Sequence, residues 1–232
     1  MSNNAATVMV PIDGGLEFEC LKNRQSVSTA QYILSGETYP VVPLDEDVEV
    51  VMDIGANCGS ASVFFSSTYP QARILAFEPA RVPYRVLTQN ARRWNRIEPF
   101  NIGLSDRDDQ VVLYEGEAGT GSSSVFRRPG TTNRTERISL RSARAWLEEH
   151  GVSRVDILKV DTEGCEMPIL SDLRPVLPKV QVIYLEFHSE EDRRSIDELL
   201  GPTHDLAVAR VLFGQGEMTY VSKSVANGSI DS

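Results

Sequence analysis

The chain's 232 residues carry 33 acidic against 23 basic side chains, a net charge of −10 that disfavours binding to phosphate backbones, where Lys and Arg must displace condensed counterions. With 41% hydrophobic and 24% charged residues the composition suits one large globular domain, and no apolar run approaches the roughly 18 residues of a membrane span. Neither nucleic acid nor membrane is expected as a partner, the N-terminus lacks the pattern of a signal peptide and so points to the cytoplasm, and Cys20, Cys58 and Cys165 lack the spacing of a zinc site and suit reduced thiols.

Residues 1–47 read as an irregular lead-in, a cap or lid with one helix over 28–34. The main domain, 48–225, opens with the β-branched run 48–52, a buried strand that stops at Asp53-Ile54-Gly55. Further strand-like runs lie at 72–77, 98–103, 111–114, 155–160 and 180–187, with helical patterns at 60–68, 82–94, 142–150, 167–177 and 190–200. This βαβ alternation predicts a mostly parallel sheet covered by helices on both faces. Runs at 205–213 and 217–222 around Gly214-Gln215-Gly216 predict a closing antiparallel hairpin, and a frayed tail is expected over 226–232. Arg127, Arg128, Arg134, Arg137, Arg141 and Arg144 share a stretch with Glu136 as its one acid, which reads either as a solvated loop and helix face or as a contact for an anionic acceptor.

In an open α/β sheet the ligand lies outside the carboxyl ends of the strands, near the switch point in strand order. There the chain has Asp53-Ile54-Gly55-Ala56-Asn57-Cys58-Gly59, a G-x-x-x-G loop between strand and helix with an acid before it. Glycine lets the backbone approach a ligand, but the pattern lacks the third glycine of a dinucleotide fingerprint, and Asp53 would repel a pyrophosphate. A ligand with an amino group and a cationic sulfonium, such as S-adenosylmethionine, tolerates that carboxylate. Glu78, ending the next strand run, is placed to accept both ribose hydroxyl hydrogens.

Taken in order, "VMDIGANCGSASVFF", "ILAFEP", "NIGLSD", "GSSSV", "ILKVDTEGCEMPIL" and "IYLEFH" resemble the FkbM family of S-adenosylmethionine-dependent methyltransferases over residues 39–200. The resemblance implies the class I methyltransferase fold, Rossmann-like, with a mostly parallel seven-stranded sheet and a C-terminal antiparallel hairpin. It also implies methyl transfer to a hydroxyl oxygen of a sugar or small natural product. By motif match Asp53, Gly55, Asn57 and Gly59, with Ala56 between them, would hold the methionine portion of the cofactor. Glu78, with Pro79, would hold the ribose, and Ser105 and Asp106 would lie near adenine. Gly103 stands where the family commonly has Ala, a departure expected to loosen only the strand end.

An alcohol acceptor must lose its proton, to a general base or with the help of a divalent metal. Asp161 directly follows the run 155–160, and strand alternation puts Glu186 and His188 on one side of theirs, so the three are expected to converge. Two routes stay open: imidazole acting as base beside a carboxylate, or Asp161, Glu186 and His188 holding Mg²⁺. Lys159 shares a side with Asp161 and is expected to pair with the carboxylates around it. Glu163 is expected to face the acceptor with Asp161, while Glu166 sits at the start of the following helix. Residues 119–124, "GTGSSS", form a hydroxyl-rich loop able to close over both ligands. A non-catalytic cofactor-binding scaffold, an NAD-dependent oxidoreductase and an N- or C-methyltransferase are the competing readings.

Overall fold

A computed structural model of the protein describes residues 5–12, 15–44, 46–116, 123–125 and 131–228. The chain starts with a hairpin, β1 (Thr7–Pro11) and β2 (Glu17–Leu21), followed by helix α1 (Arg24–Leu34). Then come β3 (Val50–Ile54), α2 (Ser60–Thr68), β4 (Arg73–Phe77), α3 (Arg81–Ala91) and β5 (Ile97–Phe100). Next are β6 (Gly103–Ser105), β7 (Asp109–Gly116), β8 (Thr131–Ser142) and α4 (Ala143–Glu149). The remainder runs through β9 (Ile157–Val160), α5 (Glu166–Asp172), β10 (Val182–Phe187), α6 (Glu190–Leu200), β11 (His204–Leu212), β12 (Gln215–Ser222) and α7 (Lys223–Gly228).

Seven strands form the main sheet in the order β11-β12-β10-β9-β3-β4-β5, parallel from β10 to β5 and closed by the antiparallel β11-β12 hairpin. This is the predicted arrangement, and the order reverses between β9 and β3, where a cleft must open. Alternation divides each strand between two cores. Met52, Ile54, Leu158, Val160, Ile183 and Leu185 face α4, α5 and α6. Val51, Ile157, Val182 and Tyr184 face α1, α2, α3 and the first hairpin. One buried side chain, Asn90 of α3, ties that second layer together: it donates to Glu19 O and Cys58 O, each at 2.8 Å, and accepts from Glu19 N at 3.0 Å. At roughly 1 kcal/mol for each bond, this fastens the N-terminal hairpin to the loop after β3.

Three expectations are corrected. The run 98–103 splits, with β5 in the main sheet while β6 joins β7 and β8 in a separate three-stranded sheet, order β6-β8-β7. Of the Arg-rich stretch, Arg134, Arg137 and Arg141 lie on the long strand β8 rather than a loop, and Arg144 is on α4. Arg141 of that strand bridges Asp108 at 3.0 Å and Glu149 at 2.7 Å, and Arg144 meets Glu148 at 2.7 Å. Helix α7 occupies the start of the expected tail. Arg127, Arg128 and residues 119–122 of the hydroxyl-rich loop lie outside the described residues.

Candidate active site

Register turns the strand ends into rows across the sheet. Asp53 pairs with Lys159, Lys159 with Tyr184, and Tyr184 with Thr219. Two residues further along β3, β9 and β10, and two residues earlier on the antiparallel β12, stand Gly55, Asp161, Glu186 and Glu217; the last two are direct cross-strand partners. The lower row is buried, with Asp53 0% and Lys159 3% exposed. Lys159 Nζ lies 3.1 Å from Asp53 Oδ1 and 3.7 Å from Asp161 Oδ2, and donates to Gly55 O at 2.7 Å. Burial works against the ammonium, but the Asp53 and Asp161 carboxylates outweigh it and raise its pKa, so Lys159 stays charged. Asp53 also accepts the Ser62 hydroxyl of α2 at 2.6 Å.

The loop after β3 needs its glycine. Gly55 has φ +78°, and a Cβ there would lie 1.8 Å from Asp161 O. Gly55 N and Ala56 N donate to Phe77 O at 3.0 and 2.9 Å, which docks the loop on the end of β4. Asn57, at φ 51°, donates its N–H to Glu78 Oε2 at 2.9 Å, and Ala80 N donates to Glu78 Oε1 at 2.7 Å. Burial pushes the Glu78 carboxyl up to about 7 in spite of those two donors.

A cavity of about 460 Å³ runs across these strand ends, within the roughly 300–1,000 Å³ of small-molecule sites. Its wall includes Gly55, Ala56, Asn57, Glu78 and Pro79 from the loops after β3 and β4, and Lys159, Asp161, Glu163 and Glu186 from β9, the turn after it and β10. Asp53 and Gly59, expected to touch a ligand, are not on its wall. Asp53 is turned into the sheet by Lys159, and Gly59, the N-cap of α2, lies where a Cβ would come 2.7 Å from Leu87 Cδ1. Ser105 and Asp106 are also displaced, because β6 pairs with β8 and carries them to a neighbouring hollow beside Arg107. Gly103 packs tightly instead of loosening the strand: a Cβ would sit 2.6 Å from Leu140 Cδ2.

In the upper row Asp161 and Glu186 share a hydrogen bond. Burial, then the Asp161 carboxylate, raise the Glu186 carboxyl far above its ordinary range. Glu163 has φ 59°, an uncommon conformation for its type, and its carbonyl accepts the Ser124 hydroxyl at 2.8 Å. Glu166 turns back on its own turn, accepting Thr162 N at 2.9 Å, Thr162 Oγ1 at 3.0 Å and Gly164 N at 3.1 Å. Burial alone would raise it, but hydrogen bonds from His188 and these groups pull its carboxyl down to about 2.

His188 does not join Asp161 and Glu186. β10 ends at Phe187, the chain bends toward the α6 cap at Ser189, and alternation stops applying. His188 Nε2 lies 3.7 Å from Glu166 Oε1 and 3.8 Å from Glu163 Oε2, away from the cavity wall. The proposed Mg²⁺ triad is therefore not assembled, and among the described residues no three His, Cys, Asp or Glu side chains are placed to hold a metal.

Residues 53–210 match the family model of the methyltransferase FkbM domain. The chain belongs to the FkbM methyltransferase family. It is 32% identical to the AMB antimetabolite synthetase AmbE of Pseudomonas aeruginosa over 62% of this chain and 8% of AmbE. It is 24% identical to the 2-O-methyltransferase NoeI of Sinorhizobium fredii over 64% of this chain and 67% of NoeI. The solved methyltransferase FkbM from Methylobacillus flagellatus superposes with a TM-score of 0.56 at 17% identity, over 86% of this chain and 56% of that one, a likeness of fold. The match thus spans from 8% to 67% of the length of these relatives. Glu217, Tyr184 and Thr219 were not singled out from sequence. The register of β12 against β10 brings them in, and the opposed pair Glu186 and Glu217 was the signal available once that pairing is known.

Proposed function

We propose that this FkbM methyltransferase transfers the methyl group of S-adenosylmethionine to a hydroxyl oxygen of a small molecule such as a sugar or secondary metabolite. The observation that carries the reading is the cavity itself, lined by a glycine loop and a fixed carboxylate together with a carboxylate row. The glycine loop and Glu78 fit the cofactor. Glu78 is anchored by two N–H groups yet keeps lone pairs for ribose hydroxyls, and Leu113, Ile138 and Leu140 offer an apolar slot for a flat base. The loop of Gly55, Ala56 and Asn57, which lines the cavity, serves the methionine portion, with Lys159 and Asp53 holding that loop from beneath.

When bound, S-adenosylmethionine supplies an electrophilic methyl carbon: the acceptor oxygen bonds to it, the carbon–sulfur electrons stay on sulfur, and the hydroxyl proton leaves. Asp161, at the switch point and facing the cavity, receives that proton. Glu186 holds Asp161 in place through their shared hydrogen bond, and Lys159 offsets the local negative charge. His188 acts as a positioning residue by fixing Glu163 and Glu166. Helix α1, within the 1–47 segment, lines the cavity through Ser28, Thr29 and Tyr32. NoeI's 2-O specificity favours oxygen over nitrogen or carbon as acceptor.

Asp161→Asn is expected to bind S-adenosylmethionine as the parent does and to lose about 10²–10⁴-fold in methyl transfer, the contribution of a general base. The measurement is calorimetry beside mass-shift turnover on an acceptor panel. Full turnover by the variant, or binding of NAD in place of S-adenosylmethionine, would overturn the reading.

A further inference from the structure

Tyr39 stands ahead of residues 53–210, the span that matches the family model, yet it lines the same cavity. The residue is 8% exposed, and its ring packs on Tyr184 and Phe65, with centroids 5.2 Å away in each case, and on Phe64 at 5.9 Å. Tyr184 is the cross-strand partner of Lys159, and it donates its hydroxyl to Pro40 O at 2.7 Å. The ring of Tyr39 and the chain that follows it are thereby both fixed against β10, beside the row of Asp53 and Lys159.

The hydroxyl is the part that folding leaves idle. No hydrogen bond among the described residues uses it, and the charged groups that act on it are Lys159, Asp161, Asp53 and Glu217. Burial raises the phenol above its ordinary range, the Lys159 ammonium offsets part of that, and the three carboxylates add to the rise, so the group stays protonated and is a donor. Packing alone does not call for this oxygen. Phenylalanine fills the same space, as Phe64 and Phe65 do beside it, without the cost of taking a hydroxyl out of water. A hydroxyl so placed lacks a partner that a ligand can supply.

The methionine portion of S-adenosylmethionine carries an ammonium and a carboxylate. Asp161 and Glu163 on the cavity wall suit the first, but the second accepts hydrogen bonds only and needs donors. The Lys159 ammonium is already committed to Asp53, Ile54 O and Gly55 O. We propose that the Tyr39 hydroxyl donates a hydrogen bond to the carboxylate of S-adenosylmethionine, so that the segment before β3 completes the cofactor site. This rests on the methyltransferase reading above and adds to it a binding residue outside the matched domain.

The test compares S-adenosylmethionine with decarboxylated S-adenosylmethionine, each titrated by calorimetry into the parent and into Tyr39→Phe, a change that keeps the ring and removes one oxygen. The parent should bind the decarboxylated compound about tenfold or more weakly, the loss of a hydrogen bond to a charged group. Tyr39→Phe should weaken S-adenosylmethionine by about tenfold and leave the decarboxylated compound within about twofold of the parent, with Tm unchanged because no hydrogen bond within the protein is lost. A ring that serves packing alone would leave both affinities as they are, and a distorted pocket would lower both alike. Either result overturns the inference and leaves the methyltransferase reading standing. Failure of the parent to bind S-adenosylmethionine withdraws that reading and the inference with it. Should Tyr39→Phe not fold, the parent's own ratio decides the matter, and a preference under about threefold overturns the inference.

Discussion

Replacing Lys159 by Met removes the ammonium and leaves the rest of its environment in place. Asp53, 0% exposed, would keep its carboxylate with the Ser62 hydroxyl as its one hydrogen-bond partner among the described residues, and Ile54 O and Gly55 O would each lose a donor. Stripping one member from a buried ion pair costs about 3–5 kcal/mol, since the remaining charge is desolvated without compensation. At about 2–4 °C per kcal/mol for a chain of this size, Tm should fall by roughly 6–20 °C. The surface pair Arg73–Glu98 is shorter, 2.9 Å, but its side chains are 49% and 40% exposed; Arg73→Met should cost under about 1 kcal/mol. Burial, not distance, decides the ranking. Asp53→Leu combined with Lys159→Met exchanges both charges for apolar groups and should recover most of the loss. The assay is urea and thermal unfolding of the four proteins. A Lys159→Met protein within about 1 kcal/mol of the parent, or a double variant no better than the worse single, would refute the argument.

Two pH dependences follow from carboxyls shifted in opposite directions. Glu78, raised by burial from about 4.5 to about 7, binds more protons folded than unfolded between those values, so its contribution to stability falls as pH rises through that window. Cofactor affinity should run the other way if ribose hydroxyls need the ionised form, rising up to about tenfold per pH unit toward pH 7 and then levelling; a flat profile by calorimetry, matching that of Glu78→Gln, would count against its role. Glu166, depressed to about 2, stabilises fully above its unfolded value near 4.5 and loses that contribution as pH falls toward 2. Glu166→Gln should cost roughly 1.5–3 kcal/mol at neutral pH and flatten the acid limb of unfolding between those values; an unchanged acid limb would show the shift to be absent.

The parallel sheet was legible because its strands are buried on both faces and read as continuous apolar runs such as Val50–Ile54, and the cleft followed from topology. β8 was not, because TTNRTERISLRS is polar and arginine-rich, with Ile138 and Leu140 as its buried hydrophobic residues. A strand of that kind is held by its neighbours β6 and β7 rather than by a periodic pattern of its own. The same holds for the site. Alternation put Glu186, which lines the cavity, and His188 on one side, but it stops applying at Phe187, where the strand ends. Ser105 and Asp106 were displaced by a sheet that local reading had not separated from the main one. Glu217 required the β10–β12 register, a contact between distant segments that no local pattern encodes.

The charge concentrated between Lys159 and Glu166 sorts by direction of side chain rather than by position in sequence. Lys159 points down into the row of Asp53 and Tyr184, and Glu166 turns onto the N–H groups of Thr162 and Gly164; both are used up by the fold. Asp161 and Glu163 face the cavity, the latter from a left-handed backbone held by Ser124. A single-charge change within these eight residues should therefore separate into two classes of outcome. Neutralising Lys159 or Glu166 lowers unfolding free energy first and activity as a consequence, whereas neutralising Asp161, whose side chain is 39% exposed, should leave stability near the parent's and remove turnover. The strand end tolerates this much charge because one half of it is neutralised by the other, and the half left over lies where a substrate can meet it.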